Sequence, residues 1–175
     1  FSEKNSYILN ESGEIYFLNL VDNDLKDVSF LKNIKSLSIL ILNNNSIENF
    51  EFLKYLKRLK YLYLGENNIK NFDFLIDLQQ IEYLVLFGNN IKNIDFLAHL
   101  KNLKQLYLSN NNISDISVLK ELSSLEKINF RDNKINDITV LKKLPYLKFI
   151  DISNNKIKDI SPLKEIIKSG VSIGE

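Results

Sequence analysis

The residues best suited to chemistry in this chain are its carboxylates, its one histidine and its tyrosines, and their spacing limits what each can do. Glu66, Asp132 and Asp151 have the chemistry of general acids and bases, but the sequence shows no nucleophile or pocket to go with them. Asp27, Asp115, Asp137 and Asp159, in one series with Asn49, Asn71 and Asn93, offer the hard oxygen ligands that calcium takes. They recur every 22 residues instead of clustering in one ligand loop, so no metal site is expected. His99 has no second histidine and no cysteine with which to share an ion. The five glycines form no phosphate-cradling loop. The expectation is a protein that is not an enzyme and carries no cofactor.

Length and charge narrow the field further. A chain of 175 residues with 45% apolar content suits one continuous core. Lys and Arg number 23 against 22 Asp and Glu, so no net field favours nucleic acid or an anionic membrane. No apolar run approaches the roughly 18 residues that span a bilayer, and membrane insertion is not expected. With no cysteine, either a reducing or an oxidising compartment is compatible. The chain starts at Phe1 and lacks methionine, which points to a processed or excised part of something longer. The sequons at Asn10, Asn44 and Asn112 matter only in a source that glycosylates secreted proteins.

The elements that position these residues follow from the stretch Leu103 to Leu122. Its apolar residues alternate around Leu106 and Leu108, as in a short strand. Ile113, Ile116, Leu119 and Leu122 then follow at intervals of three, which suits a tight turn and a short 3₁₀ or α segment. The template restarts at residues 15, 37, 59, 81, 103, 125 and 147, each interval being 22. Seven such coils predict a solenoid, because one coil cannot bury its own apolar face. Residues 1–14 fall outside the pattern and are expected to cap the first coil, with Phe1 a candidate to help. Residues 15–166 hold the repeats; residues 167–175 are either a cap pairing with the last edge or the start of a further domain.

Two polar columns run through the repeat. Asn23, Asn45, Asn67, Asn89, Asn111, Asn133 and Asn155 follow each strand, where a buried amide can satisfy backbone groups that the turn leaves unpaired. Four residues on come Asp27, Asn49, Asn71, Asn93, Asp115, Asp137 and Asp159, at the corner onto the outer side. Two further on, Ser29, Glu51, Asp73, Asp95, Ser117, Thr139 and Ser161 have mostly helix N-cap types. Ser161-Pro162-Leu163 predicts a helix start and Gly170 its C-cap. Phe30, Phe52, Phe74 and Phe96 form a column expected to fill space on the outer side.

This repeat resembles the leucine-rich repeat, and its 22-residue coil with Asp115-Ile116-Ser117-Val118-Leu119 and Asp159-Ile160-Ser161-Pro162-Leu163 is similar to the bacterial internalin family. Ile47-Glu48-Asn49-Phe50 also resembles the phosphatase-regulating class of eukaryotic leucine-rich proteins. The resemblance implies an α/β fold: a right-handed solenoid with a parallel β-sheet on its concave face and 3₁₀ or short helical segments on its convex face. In both groups it implies a non-enzymatic module that holds a protein on the concave sheet. For the internalins it implies a secreted or cell-surface bacterial protein; for the other class, a cytoplasmic scaffold or regulatory subunit. A structural spacer in a larger chain is the remaining alternative.

Strict alternation puts the residues beside the strand leucines on the concave face. Ile39, Ile41, Tyr61, Tyr63, Tyr83, Val85, Phe87 and Tyr107 fall into one apolar neighbourhood across four coils. Outward strand positions are polar where nothing binds, so such a patch marks a partner site, and tyrosine is enriched in binding hot spots. Aromatic residues also favour strands in their own right, which is the competing explanation. Gln105, Lys127, Asn129, Arg131, Asp132 and Asp151 make a mixed-charge sector beyond it, which is either a solvated face or one that orients a partner through Lys127 and Arg131. Phe17 and Asn19 occupy the same outward positions in the first coil. The expected partner is another protein, held by a monomer.

Overall fold

The computed structural model describes residues 3–174, so Phe1 lies outside the described residues. Among the described residues nine strands form one sheet in chain order. They are β1 (Ser6–Leu9), β2 (Ile15–Asn19), β3 (Ile39–Ile41), β4 (Tyr61–Tyr63), β5 (Tyr83–Val85), β6 (Gln105–Tyr107), β7 (Lys127–Asn129), β8 (Phe149–Asp151) and β9 (Ser172–Ile173). From β2 onward every pairing is parallel, and the register places Ile39 opposite Tyr61, Tyr61 opposite Tyr83 and Tyr83 opposite Gln105. Equal coil lengths produce this register directly, since each residue meets its counterpart one coil on.

The central residue of each short strand points inward. Leu40, Leu62, Leu84, Leu106, Ile128 and Ile150 are all 0% exposed and form one stripe of the continuous core. Burying one such side chain stabilises the fold by roughly 1.5 to 3 kcal/mol, and each coil buries several. The residue just before each asparagine of the first polar column has a positive φ, from Asp22 through Asn154. That conformation is why Asn, Asp and Gly88 dominate there, and Glu66 is the exception.

The outer side carries 3₁₀ segments at Ser29–Asn33, Glu51–Tyr55, Asp73–Leu75, Asp95–His99, Ser117–Glu121 and Thr139–Lys143. Their N-termini correct the expectation about caps. The capping atom belongs to the earlier column: Asp27, Asn49, Asn71, Asn93, Asp115 and Asp137 each accept, through Oδ1, the N–H of the residue two further on, at 2.7–2.8 Å, and Asp159 does the same for Ser161 at the start of the C-terminal helix. Ser29 and its equivalents are therefore the first residues of the segments and supply the N–H, a turn that Asp and Asn form through their short side chains. The phenylalanine column is uneven. Phe52 and Phe74 are buried while Phe30 is 56% exposed. Phe74 stacks on Phe50 at 5.1 Å and Phe96 on Phe72 at 4.8 Å, so two adjacent columns share the packing.

The two ends close differently. β1 runs antiparallel to β2, the one departure from a parallel sheet. Tyr7 and Leu9 remain 61% and 48% exposed on β1, which adds one antiparallel strand to the sheet. At the other end α1 (Ser161–Lys168) begins with Pro162 in its first turn. It stops in a Schellman motif: Gly170, at φ +91°, donates to Ile167 O and Val171 to Ile166 O. Buried Ile166 and Val171 supply the apolar contact of that motif, and β9 then pairs parallel with β8.

Candidate functional site

The concave face is built from outward residues of β3 to β7. Ile39, Ile41, Tyr61, Tyr63, Tyr83, Tyr107 and Lys127 are half-buried on it, Phe87 is half-buried just past β5, and Arg131 is exposed beyond β7. The tyrosine rings form a contiguous row. Tyr83 lies 5.9 Å from Tyr61, 5.1 Å from Tyr63 and 5.1 Å from Tyr107, ring centre to ring centre, all tilted by 31–34°. Such pairs are worth about 0.5 to 1.5 kcal/mol each beyond the area they bury. The Tyr107 hydroxyl donates to Gln105 Oε1 at 3.1 Å. Burial pushes the Tyr63 and Tyr83 hydroxyls up from their ordinary pKa, and Tyr83 the further of the two.

Val85 is corrected by the structure: it is buried at 6% exposure and is not part of the accessible surface. Its strand neighbours are Tyr63 and Tyr107. The Tyr83 ring sits 5.1 Å from both of theirs, so this small side chain falls within a row of larger ones. Phe17 and Asn19 are likewise buried. The N-terminal segment bends across the first coil, where Asn19 Nδ2 donates to Glu3 O at 3.0 Å and Lys4 pairs with Asp22 at 2.9 Å.

A hollow of about 580 Å³ opens beside the tyrosines, lined by Asn19, Val21, Ile39, Ile41, Asn43, Tyr61 and Tyr63. It exists because isoleucine is shorter than tyrosine. The step from β3 to β4 makes one wall, and Asn19, held by the N-terminal segment, stands on the other side.

The polar sector is less free than its composition suggests. Lys127 Nζ lies 5.8 Å from the centre of the Tyr107 ring and 5.0 Å from that of Phe149, so it extends the aromatic row as a cation over two ring faces. Arg131 Nε pairs with Asp132 at 3.3 Å, and Asp132 also accepts from Asn154 Nδ2 at 2.7 Å. Asp151 is buried; it accepts the N–H and hydroxyl of Ser153, and Gly174 lies against its Cβ.

One feature escaped sequence reasoning. Along one edge of the concave face Lys60, Glu82, Lys104, Glu126 and Lys148 alternate in sign at 22-residue spacing. Glu82 is clamped between Lys104 at 2.7 Å and Lys60 at 3.0 Å, and these two ammonium groups hold its carboxyl below the usual range. Lys148 meets Glu126 at 2.6 Å. The signal was the alternation itself, visible once the coils are aligned.

The Asn column lies beneath this surface. Asn45, Asn67, Asn89, Asn111 and Asn133 are buried, while Asn23 and Asn155, in the end coils, are only half-buried. Asn111 shows the full pattern: Nδ2 donates to the carbonyls of Leu86, Leu108 and Ser109, and Oδ1 accepts from Asn89 and Ile91. His99 is exposed on the outer side. Among the described residues no three or more His, Cys, Asp or Glu are placed to hold a metal ion, and no helix is long and apolar enough to cross a membrane.

Repeating coils, a buried Asn column and a strand-lined face together define a leucine-rich repeat protein. The chain belongs to that family, whose two-copy leucine-rich repeats model matches residues 35–77, 79–121 and 123–165. Within it the chain is internalin-like. It is 32% identical to internalin InlF of Listeria monocytogenes strain 4b F2365 over 89% of its own length, with a TM-score of 0.82. Against internalin InlC2 of the same strain the identity is 34% over 91% of this chain, with a TM-score of 0.80. The chain spans 46% of the InlF chain and 73% of the InlC2 chain. No curated protein matches it.

Proposed function

We propose that this chain is a non-enzymatic recognition module that holds a partner protein on its concave face. Tyr61, Tyr63, Tyr83 and Tyr107 are the energetic centre, and Ile39, Ile41 and Phe87 are their apolar neighbours. The observation that carries this reading is the unbroken row of half-buried tyrosines beside the 580 Å³ hollow. The rings are already packed against one another, so a partner meets a preorganised surface and little side-chain entropy is lost on binding. An apolar side chain of the partner fits the hollow, while Lys127 and Arg131 give the complex its orientation. The likeness to internalins supports a role outside a bacterial cell.

The test is capture of a partner by the double variant Tyr61→Ala, Tyr83→Ala with its circular dichroism unchanged. Loss of about 2 kcal/mol or more of binding, the size expected of hot-spot tyrosines, supports the reading. Undiminished capture rules this surface out.

A further inference from the structure

The Asn column contains its own controls. At five junctions between coils the later asparagine accepts, through Oδ1, the main-chain N–H two residues beyond the earlier one. These are Leu25 to Asn45 at 2.9 Å, Ile69 to Asn89 at 3.2 Å, Ile91 to Asn111 at 2.9 Å, Ile113 to Asn133 at 3.0 Å and Ile135 to Asn155 at 2.9 Å. The sixth junction, Ile47 to Asn67, lacks this bond. Asn67 Nδ2 still donates to Leu42, Leu64 and Gly65, so the amide keeps its orientation, but its buried Oδ1 has no partner among the described residues. Asn67 as a whole is 3% exposed.

The facing main chain is unpaired too. Among the described residues nothing bonds the N–H or the carbonyl of Ile47. At Leu25, Ile91, Ile113 and Ile135 the equivalent carbonyl accepts from Ser46, Asn112, Lys134 and Lys156 at 2.8–2.9 Å. The residue that would serve Ile47 is Asn68, at φ +53°, and Asn90, at φ +57°, likewise makes no bond to the Ile69 carbonyl, so it is the unmet Asn67 Oδ1 and Ile47 N–H together that set this junction apart. A hollow of about 600 Å³ opens at this point, lined by Asn45, Ile47, Asn67 and Asn68, with Glu66 and Lys70 among the residues at its rim.

We infer that this junction is a binding site for a single water molecule, which donates to Asn67 Oδ1 and Ile47 O and accepts the Ile47 N–H. The chemistry selects the ligand. A cation is repelled by the N–H and an anion by the two oxygens, whereas water offers two donors and an acceptor on one atom. Buried waters make about three such bonds, and an unmet buried acceptor is costly enough to recruit one. The solvent-bridged joint separates the coils that carry Ile39 and Ile41 from those of Tyr61 and Tyr63, the two sides of the concave hollow.

Nuclear magnetic resonance on the intact chain decides the matter. A long-lived water should give an Overhauser effect at the Ile47 amide and none at the amides of Ile69 and Ile91. Those two should instead show through-hydrogen-bond coupling to the side-chain carbonyls of Asn89 and Asn111. Coupling between Ile47 and Asn67, or no water contact at Ile47, overturns the inference.

Discussion

Gly65 lies so close against the ring of Phe87, one coil further on, that a Cβ placed on it would overlap that ring. Its φ is not in the left-handed region, so space and not conformation requires glycine here. The Gly65 N–H is also taken, by Asn43 Oδ1 at 2.7 Å. Gly65→Ala is expected to push Phe87 towards solvent at a cost of about 1 kcal/mol, the low end for overpacking. The urea midpoint should fall, and the Phe87 ring resonances should move; unmoved resonances contradict the packing described.

The Asn column makes a graded prediction. Asn111→Ala strips partners from the N–H groups of Asn89 and Ile91 and from three carbonyls. Orphaned buried groups cost about 1 to 3 kcal/mol each, so the loss should be large. Asn67→Ala frees no main-chain N–H and should cost less, since its Oδ1 bonds none. Equal losses in parallel denaturation curves would count against the broken rung.

Acid should weaken the outer corners. The N–H of Ser29, Ser117 and Ser161 holds the carboxyls of Asp27, Asp115 and Asp159 below the usual carboxylate range. Folded values below the unfolded ones mean that this stabilisation is complete above about pH 4 and disappears as pH falls through the folded values. Asn49, Asn71 and Asn93 make the same bond without titrating. The triple variant Asp27→Asn, Asp115→Asn, Asp159→Asn should therefore lose stability less steeply in acid than the unaltered chain.

Alkali tests the tyrosine row. Burial raises Tyr63 and Tyr83, so their stabilising contribution is present below about pH 10 and is lost as pH climbs through the folded values. Ultraviolet titration should show tyrosines that ionise late, and Tyr83→Phe should reduce both that late fraction and the alkaline fall in stability. Tyrosines all ionising together near pH 10 would refute the packing of Tyr83 between Tyr63 and Tyr107.

The fold was legible because its signal is additive. Seven coils of one length repeat the same inward pattern, so a local ambiguity in one, such as the outlying Glu66 turn, is outvoted by the rest. What could not be read depended on neighbours outside the alternation rule. Val85 alternates outward like Tyr63 and Tyr107, its neighbours on the adjacent strands, yet it is buried. Asn19 and Asp151 obey the rule and are covered by chain ends, Glu3 in one case and Gly174 in the other. Sequence places the caps one column late because Ser and Asp at the segment starts have the side chains of capping residues, and only geometry shows which oxygen receives the N–H.

The one-to-one facing of Ile39, Tyr61 and Tyr83 also sets how such a chain can change in size. Growth by whole coils restores every stack across the seam, while an odd residue has to be absorbed in a turn, as it is where β9 pairs with β8 at an offset one residue longer than the other coils. Each whole coil added or removed therefore lengthens or shortens the concave face by one strand and leaves the remaining columns aligned.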